Sequence, residues 1–307
     1  MNTASIDVTS KEHWARKGPV SLYMRNKFAP ELKDVSSRRP PVILVHGSSL
    51  SAIPSFDLTV PELPDYSFMD WLARRGWDVW TLDHECYGSS TKTDSNSDVA
   101  CGVEDLLAAT KVIADVTGKD RFHLYGLSSG ALRAAAFAQR APNKVERLAL
   151  DAFVWTGKDS PTLTKRREGV EQYRKNARRG IDEAMISSIF TRDEPGTSDP
   201  RLIDACAKLQ LSYADFVPTG TYLDMTTKLP LVDPEKISAP VLVVRGEHDG
   251  IATMADLMAF FEKLPNGDRQ FSVLAGLAHC TPLGLRRHVL WQTVDDFLRI
   301  GEVEPIA

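Results

Sequence analysis

A serine lies between two glycines in the segment Gly126-Leu127-Ser128-Ser129-Gly130. The segment follows an apolar run typical of a buried strand and precedes an alanine-rich run typical of a helix. A turn this tight strains the serine backbone, and side chains at the two glycine positions would collide with neighbouring backbone. Such a turn lifts the serine hydroxyl to the edge of a sheet. Ser128 is therefore predicted to be a nucleophile, and Ser129 is the weaker candidate.

A serine hydroxyl needs a base to remove its proton and a carboxylate to orient that base. His279 lies in a short loop after the last predicted strand, where a base can reach the sheet edge. Asp249 lies in the turn Gly246-Glu247-His248-Asp249-Gly250, which also follows a predicted strand. Ser128, His279 and Asp249 are therefore predicted to form a catalytic triad. Asp151 is a rival acid because it also ends a strand, and Glu247 is a less favoured one.

Two fixed N–H donors are needed to stabilise the oxyanion formed when a serine attacks a carbonyl group. The backbone N–H of Ser129, the residue after the nucleophile, is predicted to be the first donor. The second is expected where an early strand ends in His46-Gly47, because glycine lets the next amide turn inward. Ser48 is the preferred residue and Ser49 the next, whereas His46 is expected to be structural.

Six short apolar runs alternate with segments of helical periodicity, and this alternation predicts a doubly wound, mostly parallel α/β sheet. The predicted strands are residues 41–46, 77–83, 121–126, 145–154, 241–246 and 270–275. The predicted helices are residues 98–117, 129–140, 253–264 and 285–300.

The segment of 85 residues from 155 to 239 is longer than one crossover helix requires. It is predicted to be a helical cap inserted into a core formed by residues 1–154 and 240–307. Side chains near the triad and at the start of the cap are expected to bind the substrate. They are Ser49, Leu50, Leu127, Trp155 and Ile251.

Residues 165–179 of this segment contain seven basic and two acidic side chains. Such a run is usually a solvated helix face. A second hypothesis is that one arginine turns inward and binds the carboxylate of an anionic ester, as planar guanidinium groups do well.

The composition excludes several classes of protein. A net charge of −4 and a pI near 6.0 give no attraction to nucleic acid or to an anionic membrane. The N-terminus lacks the apolar core of a secretory signal, and no segment approaches the length of a membrane span, so a cytoplasmic protein is expected. The four cysteines show no spacing typical of zinc ligands, and no metal site is predicted.

These residues make the chain similar to the α/β-hydrolase superfamily, in its serine esterase and lipase-like branch with a helical cap. The resemblance covers residues 41–155 and 240–300. It rests on the order Ser128, Asp249, His279, on the early His46-Gly47, and on the glycine-containing turn at residues 83–90. Cys86 departs from the glycine that relatives commonly carry there. Serine rather than aspartate at position 128 argues against the dehalogenase and epoxide-hydrolase branches and implies attack on an acyl carbon.

The predicted function is hydrolysis of a carboxylic ester through an acyl-enzyme, on a medium-sized, partly apolar small molecule and without a cofactor. The same triad also serves acyltransferases, lactonases, thioesterases and carbon–carbon bond hydrolases. A ligand receptor built on the hydrolase pocket is an alternative from another class. The sequence leaves a homodimer open.

Overall fold

The computed structural model describes residues 6–60 and 62–301, and its centre is an eight-stranded sheet. The strand order is β1-β2-β4-β3-β5-β6-β9-β10, and β7 and β8 pair separately. The strands are β1 (Thr9–Lys17), β2 (Val20–Phe28), β3 (Val42–Val45), β4 (Val79–Leu82), β5 (Phe122–Leu127), β6 (Val145–Asp151), β7 (Arg178–Gly180), β8 (Phe216–Pro218), β9 (Val241–Gly246) and β10 (Arg269–Leu274).

Six neighbouring strands of the large sheet pair in parallel, in the order β4-β3-β5-β6-β9-β10. Each of them corresponds to one of the predicted strands. Every residue of β3, β4, β5 and β9 is buried because helices cover both faces of the sheet. The sheet therefore confirms the predicted fold class. The antiparallel pair β1 and β2 at one edge was not predicted, because the exposed, largely polar β1 lacks a continuous apolar run.

Helices cover the sheet and fill the segment between β6 and β9. They are α1 (Lys33–Ser36), α2 (Ala52–Phe56), α3 (Phe68–Ala73), α4 (Val99–Thr117), α5 (Ser129–Arg140), α6 (Pro161–Arg167), α7 (Val170–Lys175), α8 (Glu183–Thr191), α9 (Pro200–Tyr213), α10 (Gly220–Thr227), α11 (Met254–Glu262) and α12 (Arg287–Arg299). The four predicted helices correspond to α4, α5, α11 and α12. None of the helices in the described ranges has the length and hydropathy needed to cross a membrane.

Side-chain caps fix where two of these helices begin. The carboxylate of Asp98 accepts a hydrogen bond from the N–H of Cys101 at the start of α4 (2.8 Å). The hydroxyl of Thr253 accepts one from Asp256 at the start of α11 (3.2 Å). Each cap satisfies a backbone donor that the first helical turn leaves free.

Residues 155–239, which we call the helical insertion, contain α6 to α10 and the β7-β8 pair. Their apolar side chains form a second core with loops that follow the core strands. This core includes Ile186, Phe190 and Val217 from the insertion and Leu50 and Tyr87 from the loops. The insertion therefore covers the edge of the sheet at which the parallel strands end.

Two glycines allow α5 to start directly against the end of β3. A Cβ atom at Gly130 would lie 2.1 Å from the carbonyl oxygen of Val45, and one at Gly126 would lie 2.5 Å from that of Gly130. Both distances are far below van der Waals contact, so only glycine fits at either position.

We predict that Gly130→Ala lowers the free energy of unfolding by about 3 kcal/mol, because the new methyl group forces α5 away from β3. Gly267→Ala is the matched control, since no atom lies within 4 Å of the Cβ built there. Urea unfolding, monitored by circular dichroism, gives the free energy of unfolding of both variants. Equal stability of the two variants would contradict the prediction.

A buried carboxylate connects the end of β6 to the loop after β10. Asp151 accepts hydrogen bonds from the hydroxyls of Tyr125 and Thr281, and Thr281 lies two residues after His279. Burial raises the pKa of Asp151 to about 7, although both hydroxyl donors favour the charged form. The folded protein therefore binds a proton here at pH values at which the unfolded chain does not.

This difference predicts how Asp151→Asn changes stability with pH. The folded pKa is near 7 and the usual value is about 3.9, so the wild type loses stability as the pH rises between them, by up to about 1.4 kcal/mol per pH unit. Asparagine does not titrate. Urea titrations give the free energy of unfolding of the variant and of the wild type at each pH. The value for the variant minus that for the wild type should increase from pH 4.5 to 7.5. A constant difference would refute the raised pKa of Asp151.

Candidate functional site

Ser128 occupies the turn between β5 and α5 in a backbone conformation that side chains rarely adopt. Its φ is 58° and its ψ is −121°, outside the regions that a strand or a helix uses. The N–H of Ser128 donates to the carbonyl oxygen of Asp151 (2.8 Å), which holds the turn against β6. The tight contacts of Gly126 and Gly130 leave the chain no other path, so the Ser128 side chain is directed to the sheet edge.

The structure brings Ser128, His279 and Asp249 into one hydrogen-bonded line. His279 Nε2 lies 3.1 Å from Ser128 Oγ, and His279 Nδ1 lies 2.8 Å from Asp249 Oδ1. All three residues are buried. Since a carboxylate only accepts, Nδ1–H donates to Asp249 and Nε2 is left to accept the proton of the serine hydroxyl.

The environment of Asp249 keeps its carboxylate charged. Burial alone would raise the pKa of Asp249, but the charge and hydrogen bond of His279 and the N–H of Ile251 (3.0 Å) outweigh burial and lower it. The guanidinium group of Arg245 donates to the Asp249 carbonyl oxygen (2.6 Å) and fixes the turn after β9. Asp151, the rival acid, faces Tyr125 and Thr281 instead.

Ser48 and Ser129, the predicted oxyanion donors, contact each other beside Ser128. The hydroxyl of Ser48 donates to that of Ser129 (2.7 Å) and accepts from Thr221 of the helical insertion (2.9 Å). The hydroxyl of Tyr87 donates to the Ser48 carbonyl oxygen (3.0 Å). Ser129 is the first residue of α5, where backbone N–H groups have no acceptor within the helix. Its N–H and that of Ser48 therefore belong to rigidly held peptides.

The helical insertion makes further polar contacts with the loops of the site. Ser49 and Tyr222 share a hydrogen bond between their hydroxyls (2.6 Å). The hydroxyl of Ser160 donates to the Ile251 carbonyl oxygen, two residues beyond Asp249 (2.7 Å). Both the loop after β3 and the loop after β9 are thus supported from the insertion.

Two adjoining cavities lie at the site. The inner cavity, about 30 Å³ in volume, is lined by Ser128, His279 and nine other residues, among them Ser48, Ser49, Leu50 and Leu127. The outer cavity, about 460 Å³, lies mainly within the helical insertion. Ser49, Arg166 and Ile189 line both cavities and therefore form the boundary between them.

Trp155 and Ile251, predicted as substrate-binding residues, line neither of these two cavities. The Trp155 indole donates to the Val232 carbonyl oxygen (2.9 Å) and packs against Phe260. Ile251 is buried in the main core, and its backbone N–H supports Asp249. Both positions follow strand ends, but their side chains turn towards the core rather than towards the serine.

Sequence reasoning missed four residues that line the inner cavity, one of which is Ser55 of α2. Arg166 was not distinguished from its six basic neighbours, and Ile189 is one of many apolar residues of the insertion. Cys280 could have been found, because it directly follows His279 in the same loop. Burial raises the pKa of the Cys280 thiol to about 12, so this thiol stays protonated at neutral pH.

Two groups of side chains in the described ranges have the spacing of metal ligands, but each already has another task. Asp249 and His279 come close to Asp193, yet they are hydrogen-bonded to each other. The second group is Glu85, Cys101 and Asp105, and the ammonium group of Lys17 contacts all three. A metal at either place would displace an existing interaction.

Solved structures from several bacteria are similar to nearly the whole chain. A thermophilic esterase from Thermogutta terrifontis has a TM-score of 0.68 and 20% identity, covering 95% of this chain and 98% of its own. A 2-hydroxy-6-oxo-6-phenylhexa-2,4-dienoate hydrolase from Rhodococcus has a TM-score of 0.64 and 16% identity, covering 95% and 100%. An enol-lactonase from Burkholderia xenovorans has a TM-score of 0.65 and 16% identity, covering 93% and 99%. At these identities the likeness shows the shared fold.

A comparison with curated proteins gives no match. The sequence profile of the serine aminopeptidase S33 family matches residues 65–283, which is more than half of the chain. The matched range includes Ser128, Asp249 and His279. The chain therefore belongs to the serine aminopeptidase S33 family and is an α/β-hydrolase.

Proposed function

We propose that this protein is a serine hydrolase that cleaves a carboxylic ester through an acyl-enzyme intermediate. The observation that supports this most directly is the buried line from Ser128 Oγ through His279 to Asp249, with distances of 3.1 and 2.8 Å. A hydroxyl, a base with a free nitrogen and a charged acid in this order are the parts that nucleophilic acyl transfer needs.

In the acylation step, Ser128 Oγ attacks the carbonyl carbon of the ester while His279 Nε2 takes its proton. Asp249 stabilises the imidazolium that forms, and the N–H groups of Ser48 and Ser129 stabilise the oxyanion. The tetrahedral intermediate then collapses, and His279 gives the proton to the leaving alcohol. The acyl group remains on Ser128.

In the deacylation step, the reactions of acylation run in reverse, with water in the place of the alcohol. His279 removes a proton from the water as it attacks the acyl carbon, and a second oxyanion occupies the same two donors. His279 then returns a proton to Ser128, which releases the carboxylic acid. Apart from the ester and water, each step uses groups of this chain.

The apolar lining beside the reacting carbon and the volume of the outer cavity support a medium-sized, partly apolar ester whose larger part occupies the outer cavity. Leu50, Leu127 and Ile189 supply apolar surface in the inner cavity, while the outer cavity has room for a larger group. Two similar structures are named an esterase and an enol-lactonase, and both names refer to acyl–oxygen bonds.

The charge of the outer cavity argues against the aminopeptidase activity in the family's name. A peptide substrate of such an enzyme brings a positively charged amino terminus to the site. The outer cavity is lined by four basic residues (Lys165, Arg166, Arg179 and Arg192) and one acidic residue, Glu168. The charged amino terminus of a peptide would be repelled by this basic lining, so an ester is the better substrate.

Replacement of Ser128 tests the proposal. Ser128→Ala should lower kcat for a 4-nitrophenyl ester by about 10⁶-fold, because no other group can carry the acyl intermediate. A fluorophosphonate probe should label the wild type and fail to label this variant.

Ser129→Ala is the comparison that separates the two adjacent serines. It keeps the backbone N–H and the nucleophile, so the fluorophosphonate probe should still label it. If the probe labelled Ser128→Ala and failed to label Ser129→Ala, the nucleophile would be Ser129, and the assignment of Ser128 would be wrong.

Replacement of Asp249 tests the acid. Asp249→Asn should lower kcat for the same ester by about 10³- to 10⁴-fold, because the neutral amide cannot stabilise the imidazolium or fix its tautomer. Asp151→Asn is the matched control, a buried carboxylate at the neighbouring strand end that does not contact the imidazole. Its kcat should fall less than tenfold. The assignment is wrong if the two variants lose activity in the reverse order.

A further inference from the structure

Arg166 of α6 lies where the inner and outer cavities meet. It lines the inner cavity together with Ser128 and His279, and it lines the outer cavity together with Tyr222 and Arg179. A substrate that spans both cavities must therefore pass beside its guanidinium group. The other six basic residues of the run 165–179 do not line the inner cavity.

In the described part of the chain, no carboxylate forms an ion pair with Arg166. Its guanidinium group contacts the Met225 sulfur (3.8 Å) and lies over the Tyr222 ring, 5.1 Å from the ring centroid. Arg166 is half-buried, whereas Arg174 of the same run is exposed and paired with Glu171 at 2.6 Å. A positive charge held in a partly buried position without a counter-charge is unfavourable until an anion joins it.

The surroundings of Arg166 increase this demand for negative charge. Burial, together with the positive charges of Arg192 and Arg179, lowers the pKa of Arg166 to about 10, although the tyrosines Tyr222 and Tyr173 oppose this. The group therefore remains charged at neutral pH but lacks the solvation of an exposed arginine. An anion in the outer cavity would also be attracted by its basic lining.

We propose that Arg166 binds a carboxylate on the substrate, so that the site is selective for esters that carry one negative charge close to the scissile carbonyl. This inference rests on the proposed ester hydrolysis and names its substrate class. One unpaired guanidinium group balances one negative charge, and its planar fork matches the two oxygens of a carboxylate. A carboxylate on either the acyl or the alcohol part can reach Arg166 because this residue borders both cavities.

Two matched pairs of esters test the selectivity. Mono-4-nitrophenyl succinate and 4-nitrophenyl 4-methylpentanoate differ by a carboxylate in place of an isopropyl group on the acyl side. 4-Acetoxybenzoate and 4-isopropylphenyl acetate differ in the same way on the alcohol side. For each pair, the measured quantity is the kcat/KM of the anionic ester divided by that of the neutral ester.

Arg166→Met removes the charge but keeps an unbranched apolar side chain beside Tyr222 and Met225. We expect it to lower the ratio at least tenfold in one of the two pairs. Arg166→Lys should retain part of the ratio, since it keeps the charge and loses the fork. Arg174→Ala is the matched control from the same run, and it should leave the ratio within twofold of the wild type. The proposal is overturned if Arg166→Met changes the ratio of neither pair.

A binding measurement separates this inference from the proposed function. In the Ser128→Ala background, calorimetry is run with both anionic esters, and the Kd of at least one of them should weaken at least tenfold when Arg166→Met is added. If the wild type hydrolyses none of the four esters and resists the fluorophosphonate, ester hydrolysis fails, while the calorimetry still decides whether Arg166 binds the carboxylate. If the neutral esters are hydrolysed and neither ratio nor Kd responds to Arg166→Met, only the inference fails.

Discussion

The first turn of α5 lies so close to the end of β3 that no side chain fits between them. Gly130 meets the Val45 carbonyl oxygen, and Gly126 meets the turn of α5 that follows. Because the chain must reverse in this small space, Ser128 takes its unusual backbone angles and Ser129 begins the helix. The position of the candidate nucleophile and of one candidate oxyanion donor therefore depends on contacts between backbones, which are stiffer than contacts between side chains.

Two buried carboxylates at the same sheet edge illustrate how surroundings divide their tasks. Asp249 meets an imidazole and a backbone N–H, and the pKa of Asp249 is lowered although burial opposes this. Asp151 meets two neutral hydroxyls, and burial raises the pKa of Asp151 to about 7. A charge next to His279 is useful only if it is permanent. Asp249 therefore fits the acid of the proposed mechanism, while Asp151 holds the loop that carries His279.

The sequence predicts those parts of the molecule that local pattern determines. The six parallel strands are continuous apolar runs, and the loops that bring Ser128, Asp249 and His279 together directly follow three of them. The pair β1 and β2 escaped prediction because one of its strands is exposed and polar. The inward position of Arg166 could not be predicted because α6 and α7 are short and separated by a break. No single helical period therefore determines which of the seven basic residues face inward. Which way Trp155 and Ile251 turn is decided by tertiary packing.

The hydrogen bonds from Thr221 to Ser48, between Tyr222 and Ser49, and from Ser160 to Ile251 join the helical insertion to both loops of the site. Lifting the insertion as one rigid lid would exchange these hydrogen bonds for hydrogen bonds to water, at a net cost of about 0.5–1.5 kcal/mol each. Rotation of a few side chains around the outer cavity is far less demanding. Side-chain rotation therefore offers a small molecule a path into the outer cavity that leaves the hydrogen bonds between the insertion and the two loops intact.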